Sequence, residues 1–178
     1  RENKIPYFGL CLGLQIMVIE AARNLLGYED SNSTEFDEAT PFPVIDLMPE
    51  QLKSLHKGAS MRLGLYECKI IDSTYTKKIY KSNNIKERHR HRYEVNNKYV
   101  KELKNVGLIS SGVHPEGDLV EIMEYNDHPF MIGVQFHPEF LSTPLSPHPL
   151  FVEFVKSALN NKDTRSNKIN NEKESQIT

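Results

Sequence analysis

The chain is 178 residues long, 38% hydrophobic and 26% charged, with 22 Lys and Arg against 24 Asp and Glu for a formal charge of −2. That composition is globular, enough for one ordinary domain, and it excludes a disordered chain, a membrane-spanning protein and a global positive field that would hold nucleic acid or an anionic membrane. Two cysteines, Cys11 and Cys68, make neither a disulfide framework nor, unaided, a zinc site, and point to a reducing, cytoplasmic compartment. The chain begins at Arg1 without a leader pattern and reads as a fragment of a longer protein.

In chain order, Ile5 to Leu10 is a short apolar run that reads as a buried strand. From Gly13 to Leu26 the apolar residues Leu14, Met17, Val18, Ala21, Ala22 and Leu25 follow a helical rhythm that Gly27 closes. Residues Gly27 to Pro43 read as loop, Val44 to Met48 as a strand, Met61 to Ile71 as mixed, and Asp72 to Ile85 as a short helix with a turn. A basic run, Lys86 to Tyr93, enters Glu94-Val95-Asn96-Asn97, and Tyr99 to Leu103 suggests a small helix. Gly107 to Ser110, Leu119 to Tyr125 and Phe130 to Phe136 are three expected strands. A proline-marked loop from Pro144 to Pro149 precedes a helix over Leu150 to Leu159, and the polar residues from 160 to 178 are expected to be a disordered tail behind a single domain over 1–159.

Gly9-Leu10-Cys11-Leu12-Gly13, a strand end running directly into a helix, has the form in which glycines permit a strained turn that presents the middle side chain. The helix N-terminus after Cys11 should favour thiolate, and the Leu12 N–H should point to where an oxyanion forms. A second cluster, Phe136-His137-Pro138-Glu139-Phe140, closes an apolar strand; there, positions i and i+2 would place the His137 imidazole and the Glu139 carboxylate on one side. A thiol nucleophile needs an acid/base with a pKa near working pH, and that base needs an orienting group. Cys11, His137 and Glu139 are therefore the candidate catalytic residues. A buried structural cysteine and a strand-end histidine are the competing readings of each motif alone.

Gly-Leu-Cys-Leu-Gly-Leu-Gln with the distant Phe-His-Pro-Glu-Phe resembles the triad-type, class I glutamine amidotransferases. Asn32 to Phe36, Met61 to Gly64, the Glu87 to Asn97 run with its alternating Arg and His, and His148 to Phe151 are similar to the glutaminase domain of the CTP synthase family. The resemblance covers Pro6 to about Leu159 and implies an α/β, flavodoxin-like fold with a central mostly parallel sheet, incomplete here at its N-terminus. It implies that Cys11 attacks the glutamine side-chain amide, that His137 protonates the departing ammonia, that Glu139 orients His137, and that water releases glutamate from a thioester. Leu12, Gly13, Leu14, Gln15, Glu35 and Arg92 fall on glutamine-binding positions, with Glu35 and Arg92 supplying the opposite charges that an amino acid's two ends require.

The resemblance further implies that ammonia passes to a synthetase domain, absent here, where ATP and Mg²⁺ activate UTP for amination to CTP. GTP is the implied allosteric activator and a homotetramer the implied assembly. No cofactor falls on this segment, and an upstream glycine segment would supply the second oxyanion donor. Losing one such donor costs roughly 10²- to 10³-fold in turnover, so the isolated chain is expected to hydrolyse glutamine poorly. A free-standing cysteine hydrolase of γ-glutamyl compounds would share the elbow without needing the Arg-His run, and a noncatalytic assembly or regulatory fragment would need neither. The basic run is too short and isolated to argue for nucleic acid, and His89, His91 and His137 lack the spacing of a metal site. Cys68 reads as a packing residue.

Overall fold

The computed structural model describes residues 1–47, 61–116 and 119–175. Strand β1 (Tyr7–Leu10) runs into helix α1 (Leu12–Leu25), followed by β2 (Ser31–Ser33), β3 (Phe42–Asp46), β4 (Arg62–Ile70) and helix α2 (Tyr75–Tyr80). Then come β5 (Asn84–His91), β6 (Glu94–Val95), helix α3 (Asn97–Asn105), β7 (Leu108–Val113), β8 (Val120–Tyr125), β9 (Met131–Val134), a 3₁₀ turn (Pro138–Phe140) and helix α4 (Pro149–Ser175).

Six strands form one sheet in the order β1-β9-β8-β7-β4-β5, and β2-β3-β6 form a second. Strand alternation sorts side chains onto the two faces of the large sheet. Met123 and Met131 join Leu14, Met17, Val18, Ala21 and Ala22 of α1 and Leu103 of α3 on one face. Ile122 and Ile132 join Phe130, Phe136, Tyr75 of α2 and Leu150 of α4 on the other. The sheet is thus the middle layer of an α/β/α sandwich.

The α/β class holds, and the sheet is mixed rather than mostly parallel. In the large sheet β1 and β9 pair in parallel, while β4–β5, β4–β7, β7–β8 and β8–β9 pair antiparallel. The reason lies in the connections. Parallel neighbours need a crossover of a dozen or more residues, whereas β7, β8 and β9 follow one another through turns too short for a helix.

Three local differences have equally local causes. Ser31–Ser33, inside an expected loop, pairs with β3 and buries both serines; polar residues hide such a strand from periodicity. The strand expected at Val44 to Met48 begins two residues earlier, at Phe42, and its last residue lies outside the described residues. The expected disordered tail is helical over 160–175, where α4 continues. Packing of Leu150 and Phe154 into the core nucleates that helix, and propagation then costs far less than nucleation.

The basic run is an edge strand. Along β5, Glu87, His89 and His91 are buried while Arg88 and Arg90 are exposed, the period-2 alternation of a strand with one face on the core. The outward arginines also keep an open edge from pairing with another chain.

Candidate active site

Strand β1 hands Cys11 to α1 through a backbone that few residues adopt, with φ 48° and ψ −100°. Such a conformation costs of the order of 1–3 kcal/mol and persists only where its surroundings enforce it. Two observations identify the enforcement. The Cys11 N–H donates to the Val134 carbonyl at 2.7 Å, and Gly9 packs so closely on Gly13 that a Cβ there would lie 2.6 Å from the Gly13 carbonyl carbon. The Tyr7 hydroxyl donates to the Gly13 carbonyl at 2.9 Å, tying helix start to strand. At the other end of α1, Gly27 takes φ 74° and lets the chain leave the helix.

The half-buried thiol faces competing influences. Burial pushes the Cys11 pKa up from its ordinary 9.0, the Leu12 N–H and Gln135 amide draw it back, and the charges of Glu35 and Glu94 add to the rise. The sequence expectation of a thiolate at a helix N-terminus is therefore not met at rest: desolvation outweighs the hydrogen bonds. The Leu12 N–H reaches the thiol itself. Gln135, fully buried, places Nε2 3.8 Å from Sγ and was not anticipated. A polar residue inside the apolar run Met131 to Phe136 was the available signal.

His137 and Glu139 do meet, with Nδ1 and Oε1 2.6 Å apart. The cause differs from the expected strand alternation: β9 ends at Val134, and the 3₁₀ turn carries Glu139 back to the ring. The His137 N–H donates to the Arg88 carbonyl at 2.8 Å, which fixes the backbone at this position. Parallel register aligns Leu10 with Val134, so Cys11 and His137 leave neighbouring strands at the same sheet end. The thiol's side-chain partner among the described residues is Gln135, not His137.

A cavity of about 470 Å³ opens over the elbow, lined by Cys11, Leu12, Gln15, Glu35, Phe36 and Met61 and by the 90–93 segment, which includes His91 and Arg92. Its size is that of a small-molecule site. Gln15 is anchored, its Nε2 donating to the Tyr93 carbonyl at 3.1 Å, whereas Glu35 and Arg92 are exposed and offer an anion and a cation. Leu14 is corrected: its side chain is fully buried in the core against Gly133 and does not line the cavity. Gly13 serves the turn and is likewise absent from the lining. Cys68 is fully buried, and burial raises its pKa far above the ordinary 9.0.

Behind the Arg92–Tyr93 wall lies a buried group that sequence reading did not find. Arg62 donates to Glu121 Oε1 at 2.8 Å and to Glu94 Oε1 at 3.2 Å, and His89 Nδ1 and His91 Nε2 lie 2.8 Å apart. Burial holds His89 at about 2 and His91 at about 3, the Arg62 charge adding to both shifts. Burial raises both carboxyls, Glu94 to about 8, against the pull of Arg62.

These shifts fix a stability profile. Below the histidines' ordinary 6.5 the unfolded chain binds protons that the folded one refuses, so stability falls as pH falls toward about 3, by up to about 1.4 kcal/mol per pH unit per group. From the ordinary carboxyl value of 4.5 up to about 8 the folded chain holds protons that the unfolded one releases, so stability falls as pH rises. The two slopes oppose between 4.5 and 6.5. Denaturant melts across pH are expected to show a plateau there with losses on both sides; a stability that rises steadily from pH 6.5 to 8 would contradict the assignment.

Comparison with known proteins follows the same lines. Residues 1–157 match the family model described as glutamine amidotransferase class-I. A CTP synthase of Caldanaerobacter subterraneus subsp. tengcongensis is 59% identical over 160 residues, covering 90% of this chain and 30% of that protein. One from Aquifex aeolicus is 55% identical over 159 residues, with 89% and 30% coverage. Among solved structures, the glutaminase domain of Trypanosoma brucei CTPS with bound acivicin has TM-score 0.85 and 42% identity, covering 90% of this chain and 62% of that one. The chain thus spans about 30% of the length of the CTP synthases it matches. No helix among the described residues is long and apolar enough to cross a membrane. By the match over residues 1–157, the chain belongs to the class-I glutamine amidotransferase family.

Proposed function

We propose that this chain hydrolyses L-glutamine through a Cys11 thioester, as the glutaminase part of an enzyme that aminates UTP to CTP. The observation that carries the reading is the cavity itself: a strained cysteine at its floor, with an exposed carboxylate and guanidinium at its wall. A free amino acid brings an ammonium and a carboxylate, and those two charges match Glu35 and Arg92.

In the proposed reaction His137 takes the thiol proton, which matters because burial keeps Cys11 protonated at rest. Sγ then bonds to the side-chain amide carbon of glutamine, and the Leu12 N–H shifts from thiol to oxyanion. The C–N bond breaks as His137 returns the proton to the departing nitrogen, releasing ammonia. Water, deprotonated by His137, attacks the thioester; glutamate leaves and Cys11 regains its proton. Glutamine and water give glutamate and ammonia, and the atoms balance. Glu139, 2.6 Å from Nδ1, holds the ring with Nε2 free for this exchange.

The similarity to CTP synthases supports UTP amination as the destination of the ammonia; a synthetase domain that handles ATP, Mg²⁺ and UTP outside these residues, GTP as activator and a tetrameric assembly are part of the same proposal. Residues 1–159 act as the glutaminase unit, and on their own they are expected to turn over slowly.

The test is covalent. An electrophilic glutamine analogue, followed by peptide mapping, is expected to label Cys11 and spare buried Cys68, with excess glutamine protecting Cys11. Equal labelling of the two cysteines, or labelling that glutamine does not prevent, would sink the reading. The fate of ammonia separates the family role from a free-standing hydrolase: coupling to UTP in the full natural chain supports the first, and obligatory release to solvent the second.

A further inference from the structure

His91 Nδ1 lies 3.2 Å from the Tyr93 carbonyl and 3.5 Å from Glu94 Oε1. Both are acceptors, so Nδ1 carries the hydrogen. Burial keeps the ring neutral, which leaves Nε2 a lone pair; its partner at 2.8 Å, His89 Nδ1, must then be the donor. The same reasoning makes His89 Nε2 a lone pair. It faces Glu121 Oε2 at 3.5 Å, and among the described residues both atoms are buried without another partner. Two acceptors in contact inside a protein repel, and each forfeits a hydrogen bond. One proton between them removes both defects.

Charge balance agrees. Arg62 is a single cation between two fully buried carboxyls, so a neutral cluster has room for one carboxylate only. Glu94 Oε1 faces two donors, Arg62 and His91 Nδ1–H, while its Oε2 is buried with no acceptor among the described residues to take a proton from it; a proton on Glu121 Oε2 has one in His89 Nε2. Glu121 receives one donor, at Oε1, and its other oxygen meets a lone pair. Burial raises both carboxyls above the ordinary carboxylate range, against the pull of Arg62, which favours keeping a proton in the cluster.

We propose that Glu121 holds a carboxylic-acid proton against His89 Nε2, completing a one-way hydrogen-bond line through His89 and His91 to the Tyr93 carbonyl, and that these three are positioning residues for the glutamine cavity. The end point explains why this matters. The Tyr93 carbonyl also accepts from Gln15 Nε2 on the elbow helix, so it joins the helix that presents Cys11 to the segment that carries Arg92. The line thus sets the spacing between nucleophile and substrate clamp, where errors of an ångström cost rate or affinity. The other groups facing the line are Tyr66, edge-on to His89 at 5.4 Å, and the charges of His114 and His137, which resist a second proton on His89. Glu87 shares its face of β5 but is engaged by His148 at 2.8 Å and by the Tyr80 hydroxyl.

The role in glutamine binding rests on the function proposed above, so the test has one arm that does not depend on it. Difference infrared spectroscopy of the full natural chain at neutral pH, wild type minus Glu121→Gln, is expected to show a protonated carboxyl stretch. Its absence overturns the proposal whether or not glutamine is a substrate. In the kinetic arm, Glu121→Ala is expected to raise the glutamine KM about tenfold with kcat within about twofold, because uniform binding is lost rather than transition-state contact. Glu121→Gln keeps an acceptor for Arg62 and a permanent donor for His89, and should restore KM to near wild type. Glu94→Gln removes the carboxylate that balances Arg62 and should raise KM. A damaging Glu121→Gln, or a harmless Glu94→Gln, places the proton elsewhere and overturns the assignment. Should Glu121→Ala fail to fold, the infrared arm and the two glutamine variants still decide. A wild-type chain without glutamine hydrolysis would instead defeat the proposed function and leave the infrared result standing.

Discussion

Replacing Cys11 with alanine is expected to lower glutamine hydrolysis by about 10⁴-fold or more while leaving thermal stability within about 1 kcal/mol of wild type. The first half follows from chemistry. Among the described residues no neighbouring group replaces the thiol: Cys68 is fully buried on another strand, and the carboxylates at the cavity are far weaker nucleophiles toward an amide. The second half follows from packing. The thiol is half buried, its side-chain partner is one long contact to Gln135, and the Cβ that alanine keeps already tolerates the φ of 48°. The two readouts together separate a nucleophile from a structural cysteine, since a structural cysteine would show stability loss proportional to activity loss. If the proposed function holds, added ammonium should restore CTP formation in the Cys11→Ala variant of the full natural chain, because the missing step only makes ammonia. Residual hydrolysis above about 1% of wild type, far more than knockouts of catalytic triads leave, would remove Cys11 from the mechanism.

What the sequence revealed about this site is what is local along the chain. The elbow occupies five consecutive residues, and His137 with Glu139 occupies three, so residue type and spacing alone exposed them. Glu35 and Arg92 came from resemblance, and the cavity brings both to the cysteine. Leu14 shows the limit of carrying a motif whole: its neighbours Leu12 and Gln15 reach the cavity, while the helical rotation of 100° per residue turns Leu14 into the core. The buried cluster was hidden for a different reason. Arg62 meets Glu121 across 59 residues, and no single-chain pattern announces a contact at that separation. The alternation of β5 was visible as Arg-His-Arg-His, yet composition made it look like a charged patch; only burial along the folded strand shows that the histidines face inward. The antiparallel run of β7, β8 and β9 was within reach, because the gaps between the three expected strands are too short for a crossover helix; the pairing of β4 with β5 and β7 was not, because it depends on which strands become neighbours and not on how each one reads.

Strain at Cys11 and crowding at Gly9 are two sides of one device, and they give the second large effect. Gly9→Ala is expected to destabilise the fold by about 2–4 kcal/mol and to reduce both hydrolysis and analogue labelling at Cys11 by at least about 10²-fold. The added Cβ would fall 2.6 Å from the Gly13 carbonyl carbon and 2.7 Å from its oxygen. Both are backbone atoms in the first turn of α1, so relief requires the helix to move away from β1. Gly133→Ala is the informative control. Its nearest clashes, at 2.7 Å, are with the ends of the Leu14 and Met17 side chains, which have rotamers to yield with, although the Leu14 Cα at 3.0 Å leaves little slack. Both positions lie under α1, but only Gly9 bears on the turn that sets the cysteine. If crowding merely loosened the core, the two variants would lose activity in proportion to stability. If the close approach of β1 and α1 holds the elbow in its unfavourable conformation, Gly9→Ala loses activity well beyond its stability cost, even at temperatures where it remains folded. Equal ratios of activity loss to stability loss in the two variants would show that the elbow needs no such enforcement.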